Sequence, residues 1–178
     1  MKRFLRSLLV TCCTVPVLVS AQSSASPVAD ALRAAEQREA RNLVAAAEEM
    51  PADKYAYKPT AAQMTVAKVI EHLAEGNDLF CSKIAAVAAP ERSKVTEADG
   101  KEKLVARLKE TFEFCTTALA KVDDSKLGEQ MTLFPKFETS RARTILITVG
   151  DWEDHYSQLA IYLRLNGLVP PTARRGEG

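Results

Sequence analysis

Apolar residues recur along this chain at spacings of three and four, the pattern of helices that bury one face. Between 65 and 87 the row is Val66, Ile70, Leu73, Asn77, Phe80 and Ile84. Between 101 and 121 it is Leu104, Leu108, Cys115 and Leu119, and between 139 and 166 it is Ile145, Val149, Trp152, Tyr156, Leu159 and Leu163. A further segment, Pro27 to Met50, is rich in Ala, Glu and Arg, with Pro27 at its first position and Pro51 just past its end, the usual proline placements around a helix. Pro90 stops the second segment, and Gly167 followed by Pro170 and Pro171 stops the fourth, a glycine suited to a left-handed cap before prolines that cannot continue a helix. No strand is predicted and no repeat is visible. Four amphipathic helices of comparable length predict an all-α, four-helix bundle.

The first 21 residues stand apart. Lys2, Arg3 and Arg6 precede a short apolar run that ends in Val19-Ser20-Ala21, the composition of a secretory signal cleaved after Ala21. That leaves residues 22–178 as one domain and places the protein outside the cytoplasm, periplasmic or secreted. With the leader go three bases and no acid, so 24 basic and 23 acidic side chains become 21 and 23. A near-neutral surface argues against nucleic acid as a partner held by bulk charge. No later run is apolar enough to span a membrane. Cys12 and Cys13 also leave, and Cys81 and Cys115 remain for an oxidising compartment, where a disulfide between them is expected if the second and third helices run antiparallel as neighbours.

Candidate chemistry lies beside the apolar row of the fourth helix. One residue away runs a polar stripe, Thr144, Thr148, Asp151, His155, Gln158 and Tyr162. Residues four apart share a helix face, so the Asp151 carboxylate and the His155 imidazole can converge on one point. The only other histidine, His72, sits one residue off the row of the second helix. Gly76, one turn on, costs that helix about 1 kcal/mol relative to alanine. It serves either to clear space above His72 or to let two helices pack closely. Asp151 and His155 could equally be a helix-stabilising pair. Glu71 and Glu75 flank His72 without an evident inward role, Glu153 and Asp154 read as solvated charge, Tyr162 either reaches into the site from one turn beyond Gln158 or caps the core with its hydroxyl in water, and Arg164 is a cation suited to a helix C-terminus.

Two stretches, TVAKVIEHLAEGNDLFCSKI and DHYSQLAIYLRLNGLVPP, closely resemble the DinB-like superfamily of four-helix metalloproteins, which includes the YfiT-type proteins and thiol-dependent transferases and isomerases. The resemblance implies a metal held by a histidine of the second helix and an H-x-x-x-H pair of the last. His72 and His155 match two of those positions, and Asp151 stands where the family pattern has histidine. Two imidazoles and a carboxylate still form an open triad able to hold divalent Zn, Ni, Mn or Fe.

Two functions follow. One is a metal-dependent enzyme, a hydrolase or thiol-group transferase, in which His72, Asp151 and His155 hold a divalent ion that takes a small-molecule substrate. The other is a non-catalytic binding bundle with a degenerate site, paired with itself or not.

Overall fold

The computed structural model describes residues 25–174, so the leader read in residues 1–21 lies outside the described residues. The four expected helices are α1 (Pro27–Glu49), α2 (Val66–Ala85), α3 (Lys101–Leu119) and α4 (Arg141–Leu165), followed by a short α5 (Pro171–Arg174). Their ends follow from local chemistry. Thr65 caps α2 by accepting the Lys68 amide at 3.0 Å, and Ser140 caps α4 by accepting that of Arg143 at 3.2 Å, each satisfying an amide that has no partner within its helix. α4 closes on left-handed Gly167 (φ 76°), with Gly167 N–H donating to the Arg164 carbonyl at 3.0 Å and Leu168 N–H to that of Leu163 at 2.9 Å, the paired closure a glycine in this position permits.

Other helix ends are held by distant residues. The Asp124 carboxylate accepts the amides of Val28 and Ala29 at the start of α1. Lys101 donates to the Glu48 and Met50 carbonyls at its end. Arg141, buried at the base of α4, donates to the Ile84 carbonyl at the end of α2. Tertiary contacts thus add to the local stop signals at these helix ends.

Each helix packs against two others: α1 and α2 both lie between α3 and α4. Direction follows from the cross-contacts. Glu36 meets Thr116 and Arg33 meets Leu119, so α1 and α3 are antiparallel. Met64, just before α2, meets Tyr162 near the end of α4, and Ile84 at the end of α2 meets Arg141 at the start of α4, so α2 and α4 are antiparallel. Asn77 meets Thr111 and Cys81 meets Cys115, so α2 and α3 are parallel. The order is therefore up, down, down, up. A parallel pair needs a return along α2, about 30 Å long, and residues 86–100 can reach up to about 50 Å when extended.

Two expectations are corrected here. The sulfurs of Cys81 and Cys115 are bonded, with Cα atoms 5.2 Å apart, but the helices carrying them are parallel, not antiparallel. And the connector before α4 contains a two-stranded antiparallel hairpin, β1 (Gln130–Phe134) paired with β2 (Phe137–Ser140), where no strand was expected. Its turn places Pro135 ahead of left-handed Lys136 (φ 66°). β2 runs straight into α4.

The core holds Leu32, Leu43, Ile70, Leu73, Ile84, Leu104, Leu108, Trp152, Leu159 and Leu163, all nearly or wholly buried. The buried face of α4 is wider than its apolar row. Thr144, Thr148, His155 and Tyr162 are buried as well, while Val149 and Tyr156 are only half buried. No described helix is long and apolar enough to cross a membrane.

Candidate metal centre

The antiparallel crossing of α2 and α4 brings His72 opposite Asp151 and His155. One ligand atom from each of the three lies within 4.8 Å of the others. His72 Nε2 is 3.4 Å from Asp151 Oδ1, and His155 Nε2 is 3.5 Å from the same oxygen. The two imidazole rings meet edge to face, with centroids 4.8 Å apart. Exposure is graded across the cluster: the His155 side chain is 7% exposed, Asp151 21% and His72 42%. The site therefore has a dry side and a wet one.

The two distances to Asp151 are long for charged hydrogen bonds and close to the spacing of two ligands on one ion. A charged N–H to carboxylate bond spans about 2.7–2.9 Å. Ligands bound at about 2.0–2.2 Å to a tetrahedral ion stand about 3.3–3.6 Å apart, which brackets both distances to Asp151. Two nitrogens and one oxygen are the donor set of an open triad, so the residues fit a divalent ion with positions left for a water or a substrate.

The orientation of His155 is set from outside the cluster. The Tyr162 hydroxyl lies 3.0 Å from the Met64 carbonyl oxygen, which can only accept, so the hydroxyl donates. Its oxygen then accepts from Gln158 Nε2 at 2.8 Å, leaving Gln158 Oε1 to face His155 Nδ1 at 3.1 Å. Nδ1 must carry a proton and donate. The lone pair of the neutral ring is then on Nε2, the nitrogen aimed at the cluster, as a metal ligand requires. Tyr162 is wholly buried and packs edge to face on Tyr57 at 5.8 Å. Its hydroxyl is therefore tied to backbone rather than standing in water.

Charge at the site follows from the same contacts. Burial pushes the Asp151 carboxyl up, but the hydrogen bonds and charges of His155 and His72 outweigh it and hold the carboxyl down at about 2. Burial pulls His155 down, and the Asp151 carboxylate beside it wins, leaving the imidazole above its ordinary 6.5.

Several neighbours fall outside the cluster. Glu71 accepts from Lys68 at 2.9 Å and from the Glu97 amide at 2.8 Å, so it anchors the 86–100 return, and Glu75 is exposed. Glu153 pairs with Arg38 at 2.7 Å, and Asp154 is exposed. Arg164 reaches the Ala160 carbonyl in the last turns of α4. A Cβ at Gly76 would lie 3.5 Å from the Phe80 ring and 3.8 Å from Asp151 Oδ2. Those are ordinary contacts, so close helix packing does not demand glycine; its effect is to leave the Asp151 carboxylate uncovered.

In the sequence Asn77 is one position of the second helix's buried row, with nothing to mark its role. Wholly buried, it accepts from Trp152 Nε1 at 2.7 Å and donates to Thr111 Oγ1 at 3.2 Å. This network fixes the rotation of α4 beside Asp151 and explains the polar residue in an apolar row.

An up-down-down-up helical bundle with a His, Asp, His cluster between its second and fourth helices defines the class. The chain belongs to the DinB superfamily, whose family model matches residues 35–159. Among solved structures, a DinB-like protein from Bacillus subtilis aligns with a TM-score of 0.63 at 19% identity, over 77% of this chain and 92% of its own. A conserved protein from Enterococcus faecalis aligns with a TM-score of 0.60 at 14% identity, over 75% of this chain and 94% of its own. These likenesses concern the fold. No curated protein sequence matches.

Proposed function

We propose that this protein is an exported, divalent-metal-dependent enzyme of the hydrolase or thiol-group-transferase type. His72, Asp151 and His155 would hold the ion. The observation that carries this reading is the approach of His72 Nε2 and His155 Nε2 to one Asp151 oxygen at ligand-to-ligand spacing, 3.4 and 3.5 Å. The proton-directed chain from Met64 through Tyr162 and Gln158 supports it, because it presents the correct nitrogen of His155. A bound divalent ion would lower the pKa of a water or thiol beside it to near neutrality. The protein's own part is to keep His155 dry and oriented, to keep Asp151 ionised, and to leave His72 on the accessible side for a small-molecule substrate. The Cys81–Cys115 disulfide supports action outside the cytoplasm, since such bonds persist in oxidising compartments.

A second reading is a binding bundle with a degenerate site. Its support is that one carboxylate facing two imidazoles is electrostatically complete if an imidazole is protonated. Elemental analysis separates the two. Protein purified without a chelating column is expected to carry close to one divalent ion per chain, lost in His72→Ala and His155→Ala. Absence of stoichiometric metal in the parent protein, even after incubation with Zn²⁺, Ni²⁺, Mn²⁺ or Fe²⁺, would leave the second reading.

A further inference from the structure

A cavity of about 350 Å³ lies between the residues that lead into α2 and the second half of α4, with Met64 on one side and Asp154, His155, Ile161 and Tyr162 on the other. That volume is within the range of small-molecule sites, about 300–1,000 Å³. The cavity touches the cluster at His155, whose Nε2 faces Asp151 while the ring also borders the open space. It runs from the cluster toward the end of α4, because Asp154, Ser157 and Ile161 recur at spacings of three and four along one helix face.

Its polar lining divides into groups already engaged and groups still available. Gln158 and Tyr162 are tied into the chain that ends on the Met64 carbonyl, and Gln63 Oε1 accepts from Thr60. They shape the cavity without selecting what enters it. Asp154 is different: its carboxylate is exposed and has no hydrogen bond or ion pair among the described residues. No Lys or Arg is in the lining to balance it. The far wall is apolar. Met64 is half buried there, and Ile161 is 52% exposed. One exposed isoleucine is ordinary on a protein surface, but this one faces Met64 across a cavity whose inner end is a candidate metal ligand. From Asp154 to Ile161 the helix rises about 10 Å, the length of a short hydrocarbon chain.

We propose that this cavity is the substrate subsite of the metal centre and that it takes a small amphiphilic amine. The hydrocarbon lies between Met64 and Ile161 and the ammonium is on Asp154. Asp154 and His155 are consecutive, so the ammonium is at the same end of the substrate as the group presented to the ion. The proposal names the substrate class of the site above and rests on that reading for its purpose. Its binding test does not need the ion.

The probes are hexylammonium, the neutral 1-hexanol and hexanoate, titrated into the metal-stripped mature chain in the presence of a chelator, with affinity from calorimetry and location from amide NMR shifts. Hexylammonium is expected to bind tightest and hexanoate weakest, with shifts at residues 63–64 and 154–162. Asp154→Asn is expected to weaken hexylammonium by about threefold to fivefold, the loss of one exposed ion pair, and to leave 1-hexanol unchanged. Ile161→Ala is expected to weaken both by about fourfold, the loss of one methylene-sized contact. The proposal fails if hexylammonium does not bind, if hexanoate binds as tightly, if the shifts fall elsewhere, or if Asp154→Asn leaves the ratio of amine to alcohol affinity unaltered. Such a failure with stoichiometric metal still present would overturn the subsite alone. Absence of metal binding with intact amine binding would overturn the metal centre alone.

Discussion

The Tyr162 hydroxyl donates to the Met64 carbonyl oxygen at 3.0 Å, joining α4 to the residue just before the Thr65 cap of α2. Because the acceptor is backbone, it dictates the sense of every bond back to His155. Tyr162→Phe removes that reference and Gln158→Leu removes the intermediary. Each is expected to lower metal affinity by about 10–100-fold with the helical content unchanged, as read by competition with a chromophoric chelator. Affinity unchanged in both variants would show that the chain does not orient the ligand.

The metal-free protein should have a stability window set by Asp151 and His155. A carboxyl held at about 2 contributes stability above its unfolded value, about 4, and loses it as pH falls through about 2. An imidazole held above 6.5 contributes below 6.5 and loses that contribution as pH rises through its folded value. Thermal midpoints of metal-free protein are therefore expected to be highest between about pH 4 and 6.5, with the alkaline fall absent in Asp151→Asn. Metal affinity should run the other way and climb through the same alkaline limb, because the ion competes with a proton for His155. A midpoint that is flat from pH 5 to 8 in metal-free protein would contradict this coupling.

Gly76→Ala is expected to stabilise the protein by roughly 0.5–1 kcal/mol in denaturant unfolding, since a Cβ there meets only ordinary contacts. Gly76→Leu should cover Asp151 and weaken metal binding without unfolding the bundle. Destabilisation by alanine would mean that α2 and α4 approach more closely than these contacts imply.

Denatured, unreduced mature protein should release no titratable thiol, since Cys81 and Cys115 are joined. Replacing both with alanine should cost about 3–4 kcal/mol for a loop of this length in the chain-entropy account, measured by urea unfolding. Two free thiols per chain would refute the bridge.

The bundle was legible because each helix declares a face, and Asp151, His155 and His72 were legible because stripes at i and i+4 survive folding. Direction was not, since an apolar row reads the same for parallel and antiparallel neighbours, and the connector before α3 is long enough for either. The hairpin hid because its turn carries Lys136 at a positive φ where glycine would have marked it. The role of Gln158 was obscured because an amide one turn from a histidine reveals its orientation only once the Met64 carbonyl is in view. Asn77 stood in plain sight, but its partners Trp152 and Thr111 lie 75 and 34 residues away.

Trp152 is the chain's single tryptophan, follows Asp151 directly, and has its indole N–H fixed on Asn77 in the buried interior. Its emission is thus an intrinsic optical gauge, free of competing indoles, placed one residue from the carboxylate. Whatever enters or leaves the cluster can be followed by light on unlabelled protein.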